Sequence, residues 1–430
     1  MNDKKRSVSI VFQIKYITLH ANYSLNWNRN MEELMYYVWQ HRIFQSISTI
    51  DDTELEIIHP GLRNLDAGPD FFNAKIRING TLWAGNVEMH VKSSDWFRHH
   101  HHEDKVYDSV ILHVVLQADA EIRLHDGELV KTVVMKVPAD IMEQFKVLTA
   151  TNTISYSAIN CRKDIPFIPS IILHDWQTSL TIQRMLNKAK RVIDIIENKE
   201  KSWPEALYVI LTRSLGTGIN SDACERLARS LPYVFLQKHL DNHFQIEALL
   251  LGQANLITDS FMQKEYDFLR AKFNLTPMAK EAWKMARTRP QAAPQIRLKA
   301  LAIILHKHPN LFSDIMNCED VESISKILTV PKLIGLSTVR SLIINSIVPI
   351  IIAYAQWQKE DHLCEKAIEI LESLPAESNR YMDYWVECGM PLRNAFDSQA
   401  MLQLYKEYCE PHKCIRCRIG CWILKNKNKL

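Results

Sequence analysis

Along the chain the spacing of apolar residues changes twice. Residues 30–48 place Leu34, Tyr37, Val38 and Ile43 at helical spacing, with Asn30 as a cap and Glu32 and Glu33 in the positive first turn. From about 52 to 137 the period falls to two. LEIIH (55–59) is a short strand ended by Pro60-Gly61. FNAKIRING (72–80) turns Ala74, Ile76 and Ile78 one way and Lys75 and Arg77 the other, and Asn79-Gly80 predicts a tight hairpin into 82–92. Residues 109–118 are almost continuously apolar, which predicts a central strand covered on both faces. A hairpin turning at Asp126-Gly127 is expected over 121–137, and a short helix capped by Ser94 or Asp95 before Asp108.

After about 140 the pattern is helical, clearest at 176–198, 203–216, 222–230, 243–255, 296–308 and 338–356, with prolines mostly between these pieces. No repeat of solenoid length is present. The chain therefore reads as α+β: an extension over 1–24, a β-rich mixed-sheet domain over 25–140, a large all-α domain over 141–405 and a cysteine-rich tail over 406–430. Lys4, Lys5 and Arg6 open the chain as a secretory leader would. Gln13 and Lys15 interrupt the apolar run behind them and no small-residue cleavage site follows, so an extension is expected. The apolar run 342–353 contains Asn345, Ser346 and Pro349 and is short for a bilayer, which predicts a buried core helix and no membrane association.

Charge changes this picture little. With 52 basic and 49 acidic residues the net charge is +3, which excludes binding to nucleic acid through overall charge alone. Two local groups, Lys284, Arg287, Arg289, Arg297, Lys299 and Arg184, Lys188, Lys190, Arg191, could track a phosphate backbone or form an ordinary solvated surface. Of nine cysteines, Cys161, Cys224, Cys318, Cys364 and Cys388 are scattered, the usage of a reducing, cytoplasmic compartment.

Candidate chemistry is densest between Asp66 and His113. Side chains two apart in a strand share a face, so Glu88, His90 and Lys92 point together, and a hairpin about Gly80 brings Asp70 beside them. Asp70 and Glu88 could share Mg²⁺ or Mn²⁺, with His90 or Lys92 polarising water or a phosphate. The competing account makes Asp70 a turn cap and the trio a solvated strand face. His99 to His102 form an unbroken run, followed by Glu103 and Asp104, and His113 interrupts the most apolar strand. His90, His99, His101, His113 and Asp104 form a set suited to Zn²⁺, Fe or Mn²⁺, with Ser93 to Trp96 pinning the loop, although a lone buried His113 also suits a core. The second cluster is Cys409-x4-Cys414-x2-Cys417-x3-Cys421. It is a candidate Zn²⁺ or iron–sulfur ligand set, with Lys413, Arg416 and Arg418 favouring thiolates and His412 or Cys161 as further ligands. Plain thiols on a terminal helix are the alternative.

The order helix, strand, strand with Pro69-Asp70, strand with Glu88-Met89-His90 resembles the core of the PD-(D/E)xK nuclease superfamily. That resemblance implies a restriction-endonuclease-like core and metal-dependent cleavage of nucleic acid, with Asp70 and Glu88 on the metal and Glu33 as the additional helical carboxylate. The departure is His90 where the pattern has lysine, with Lys92 one strand step further on. The longer stretch NLDAGPDFFNAKIRINGTLWAGNVEMHVKSSDWFRHHHHEDKVYDSVILHVV resembles the bacterial family catalogued as domain of unknown function 2851. So do RSLGTGIN, ERLARSLP, HFQIEALLLGQANL and the NAFDSQAMLQLYKEYCEPHKCIRCRIG ending, and together they cover roughly 25–424. This second resemblance implies a cytosolic bacterial protein with one architecture, and no particular activity. Three functions remain open: a metal-dependent phosphodiesterase or nuclease, a non-catalytic binding or scaffold protein with a structural metal clip, and a histidine-ligated Zn or Fe hydrolase.

Overall fold

The structure, a computed structural model, describes residues 30–49, 54–149, 159–197, 202–285 and 290–426. The expected extension over 1–24, and Arg287 and Arg289 of the first basic group, lie outside these residues. The chain is mixed α+β and divides into two units, one running to Pro169 and including the segment from Glu407, the other Ser170–Lys406. The sequence pattern puts this boundary near 140 and sets the C-terminal segment apart. It moves because helix α3 (Ala139–Thr149) and the last helix (Arg418–Asn426) pack together in the sheet unit.

The sheet unit begins with α1 (30–41), whose Leu34, Met35, Val38 and Trp39 are fully buried. Seven strands follow: β1 (Ser46–Thr49), β2 (Leu55–His59), β3 (Leu62–Arg63), β4 (Phe71–Ile78), β5 (Thr81–Lys92), β6 (Val110–Gln117) and β7 (Thr132–Lys136). They form one sheet in the order β1-β7-β6-β5-β4-β2, with β3 also on β4. The β5–β6 and β6–β7 pairs are parallel and the rest antiparallel.

The expected β4–β5 hairpin forms with Ile78 opposite Thr81, and both Asn79 and Gly80 have positive φ, as a two-residue primed turn requires. At its other end Phe71 pairs with Val87, which sets Asp70 beside Glu88. A bulge with Asn73 at φ 57° intervenes and shifts the register, so Phe71, Ala74 and Ile76 all reach the core despite their odd spacing. Strand β6, flanked by parallel partners, is buried along most of its length, as its apolar run predicts. The hairpin expected over 121–137 is reduced to a bridge between Arg123 and Leu129. The turn at Gly127 forms, but the returning strand leaves it to join β6 in parallel from Thr132 onward.

In the helical unit the run at 342–353 lies in a continuous helix, Leu336–Gln358, with a π turn at Ile343–Ile347. Pro349 follows after Val348, and the wider turn accommodates its missing N–H. By length and composition this helix could cross a membrane, yet Ile343, Ile347, Ile350 and Ile351 are fully buried in the unit's core. The basic residues mostly turn inward or pair. Arg184 and Lys188 both donate to Gln399, Arg191 pairs with Glu225, Lys299 pairs with Glu247, and buried Arg297 donates to Thr338.

The β5–β6 pair sets a close test of this packing. A Cβ at Gly85 would stand 2.3 Å from Ile111 Cγ2 and 3.0 Å from the Ser109 carbonyl. Gly85→Ala is therefore expected to destabilise the sheet unit by about 1–3 kcal/mol, the usual cost of overpacking, read as a lowered midpoint in urea unfolding.

A candidate metal centre on the sheet

The site is built where β4, β5 and β6 run side by side. Across the β4–β5 junction the Asp70 N–H donates to Glu88 Oε2 at 3.1 Å, and the Met89 N–H donates to Asp70 Oδ2 at 2.9 Å. Each carboxylate is thus held by the backbone of the other's strand. Helix α1 adds to this pair: the Tyr36 hydroxyl hydrogen-bonds Asp70, and Glu32, one turn before Tyr36 on the same face, interacts with Asp70 electrostatically. Burial pushes the carboxyls of Asp70 and Glu88 up to about 8, with Glu88 raising Asp70 further, and pushes Glu32 up to about 7.

Imidazoles close the other side. Glu88 Oε1 lies 3.2 Å from His101 Nε2 and 3.5 Å from His90 Nε2. His90 Nδ1 meets His113 Nε2 at 2.9 Å, and His90 Nε2 meets His99 Nδ1 at 3.1 Å. One ring nitrogen from each of His90, His99 and His101 falls within 4.8 Å of the others, the one such group of three found among the described residues. Burial holds His90 well below the ordinary imidazole range and lowers His101 to about 4 and His113 to about 3, so these rings are neutral near pH 7.

Local structure explains the convergence. Ser94 precedes the short helix α2 (Asp95–Arg98) as expected, but without a side-chain capping bond. Its backbone N–H and hydroxyl, with the Ser93 hydroxyl, instead donate to Asp119 beyond β6. The loop is pinned, by a residue the sequence reading does not single out. His100 then takes a left-handed φ of 60°, and a 3₁₀ turn (His101–Glu103) follows, which brings His99 and His101 to the same centre. His101 stacks on Tyr107, with ring centroids 3.9 Å apart.

The other expected site residues lie elsewhere. Lys92 is exposed at the end of β5. Glu33 faces away from Asp70 into an ion pair with Arg63 at 3.2 Å and a closer one with Arg416, lining a cleft with His412 and Lys413. Glu32 stands where the helical carboxylate was expected. Asp104 caps the next 3₁₀ turn through the Val106 N–H. No three of the C-terminal thiols fall within 4.8 Å of one another, although Cys414, Cys417 and Cys421 lie close enough to interact electrostatically. Cys414 donates to the Leu148 carbonyl and Cys421 to the Ile415 carbonyl, while burial pushes both thiols up to about 12. Cys417 is buried beside them, and Cys409 ends the π turn Tyr405–Cys409. The segment is fastened by the Tyr37 hydroxyl on the Cys421 carbonyl and by Arg416 on Glu33.

The model of the family described as protein of unknown function (DUF2851) matches residues 32–333 and 329–380. Comparison with curated proteins and with solved structures gives no match.

The shifts have a pH signature. A buried carboxyl with a raised pKa contributes stability that is complete below the usual carboxylate range and is lost as pH rises through about 8. A buried imidazole with a lowered pKa contributes stability present above its ordinary range and lost as pH falls through about 4. In chelator, Glu88→Gln is therefore expected to gain stability relative to the unsubstituted chain as pH rises from about 5 to 9. Thermal unfolding across that range checks it, and parallel pH profiles would remove Glu88 from the coupled set.

Proposed function

The chain belongs to that family, and we propose that its sheet unit is a divalent-metal-dependent phosphodiester hydrolase acting on nucleic acid. The observation that carries this reading is the reciprocal hold of Asp70 and Glu88 on each other's backbone at the open end of a hairpin. Helix α1 and the β4–β5 hairpin carry the segments on which the PD-(D/E)xK resemblance rests, Pro69-Asp70 at the start of β4 and Glu88-Met89-His90 near the end of β5.

The donor set suits a hard cation. Asp70, Glu88 and Glu32 raise one another's pKa, and among the described residues no lysine or arginine side chain hydrogen-bonds to any of the three. A divalent ion relieves such crowding, and carboxylate oxygens are what Mg²⁺ and Mn²⁺ prefer. When bound, the ion supplies Lewis-acid polarisation of a phosphoryl oxygen and a more acidic water.

The chain's own groups do the rest. Asp70 and Glu88 hold the ion, Tyr36 fixes Asp70, and Glu32 adds negative charge from the helix. His90 occupies the lysine position of the pattern but is held neutral near pH 7 by burial, so it offers a ring nitrogen as a ligand or hydrogen-bond partner rather than lending a positive charge.

The test is an assay of the full chain, freed of metal and resupplied with Mg²⁺ or Mn²⁺, on single- and double-stranded DNA and RNA. Metal-dependent cleavage is expected, reduced at least ~100-fold by Asp70→Asn or Glu88→Gln and little changed by Lys92→Ala. Cleavage untouched by the first two substitutions, or no cleavage of any substrate, would overturn the proposal, the latter in favour of a binding or scaffold role.

A further inference from the structure

We infer that His90, His99, His101 and Glu88 form a second, nitrogen-rich site that takes a borderline transition-metal ion such as Zn²⁺, adjoining the carboxylate site through Glu88. The two oxygens of Glu88 are already divided: Oε2 faces Asp70, and Oε1 faces the imidazoles. The inference needs only the donor geometry and stands whether or not the unit cleaves nucleic acid.

Donor separations are the first argument. Two ligands bound at 2.0–2.1 Å at the tetrahedral angle lie roughly 3.4 Å apart. His90 Nε2 to His99 Nδ1 is 3.1 Å, His101 Nε2 to Glu88 Oε1 is 3.2 Å and His90 Nε2 to Glu88 Oε1 is 3.5 Å. Three of the six edges of such a tetrahedron are thus already near length, and one ligand atom from each of the three histidines lies within 4.8 Å of the others.

Unsatisfied polarity is the second. His101 Nε2 is buried and has no hydrogen-bond partner among the described residues, although Glu88 Oε1 is close. A buried ring nitrogen without a partner is costly, and ligation would satisfy it. The loop also accepts a left-handed residue at His100, φ 60°, a conformation that a non-glycine residue seldom adopts, and thereby aims the histidines on either side into the site.

Tautomers are the third. If His90 gives the Nε2 lone pair to a metal, its hydrogen sits on Nδ1 and is donated to His113 Nε2 at 2.9 Å. His113, fully buried on β6 and edge-on to Trp96, is then a positioning residue that selects the ligating tautomer. This explains a histidine in the most apolar strand without placing it on the metal.

The test loads the metal-free full chain with Co²⁺ or Zn²⁺ and reads stoichiometry, affinity and the visible spectrum of bound Co²⁺, independently of any hydrolysis. One tightly bound ion with the intense bands of four-coordinate Co²⁺ is expected. His99→Ala, at an exposed position that leaves the fold intact, and His101→Ala each weaken it at least ~10-fold. The double change of His100 and His102 to Ala leaves it bound. His113→Gln, whose amide oxygen still accepts from Nδ1, keeps the affinity that His113→Phe loses. Binding unchanged in His99→Ala and His101→Ala, binding lost with His100 and His102 as on a surface histidine run, or an octahedral Co²⁺ spectrum would each overturn the assignment.

Discussion

Across the β4–β5 junction two carboxylates accept the backbone N–H groups of each other's strand, and the rest of the site depends on that exchange. It fixes both side chains at the end of a hairpin without spending a basic side chain on either. Negative charge therefore stays concentrated where α1 brings Glu32 and Tyr36 against it. Burial then makes this charge costly, which is why the pair favours protonation and why the proposal places a divalent ion beside it.

Much of this was legible from local pattern. Period-two alternation, the Asn79-Gly80 turn and the apolar run of β6 act within a few residues, and each places its strand as the structure has it. The Pro69-Asp70 and Glu88-His90 segments could be paired because a tight turn fixes register. Other features depend on contacts that spacing does not carry. Adjacent helical residues differ by about 100° in direction, so nothing in the sequence says whether Glu32 or Glu33 faces the sheet. The structure gives the 32/36 face to the site and the 33/37 face to the C-terminal segment. The Asn73 bulge and the Asp119 clasp on Ser93 and Ser94 are likewise tertiary choices.

The cysteine tail shows the same limit from the other side. Its spacing suits a metal clip, yet Cys414 and Cys421 serve as thiol donors to carbonyls, and the chain end is fastened by Tyr37 and Arg416. The histidine run, less distinctive as a motif, is the group that the fold gathers. What decides between them is convergence: the αL turn at His100 and the parallel β5–β6 register bring residues from three segments to one point.

The central claim is that Glu88 lies at a metal centre between Asp70 and the imidazoles. Crystals of the full chain soaked in Mn²⁺, with anomalous data collected at the manganese edge, test it most directly. The account predicts an anomalous peak within ligand distance of Glu88, bounded by Asp70 on one side or by His90, His99 and His101 on the other. Manganese bound only elsewhere, with Asp70 and Glu88 still hydrogen-bonded to each other's backbone and no peak beside them, would contradict it.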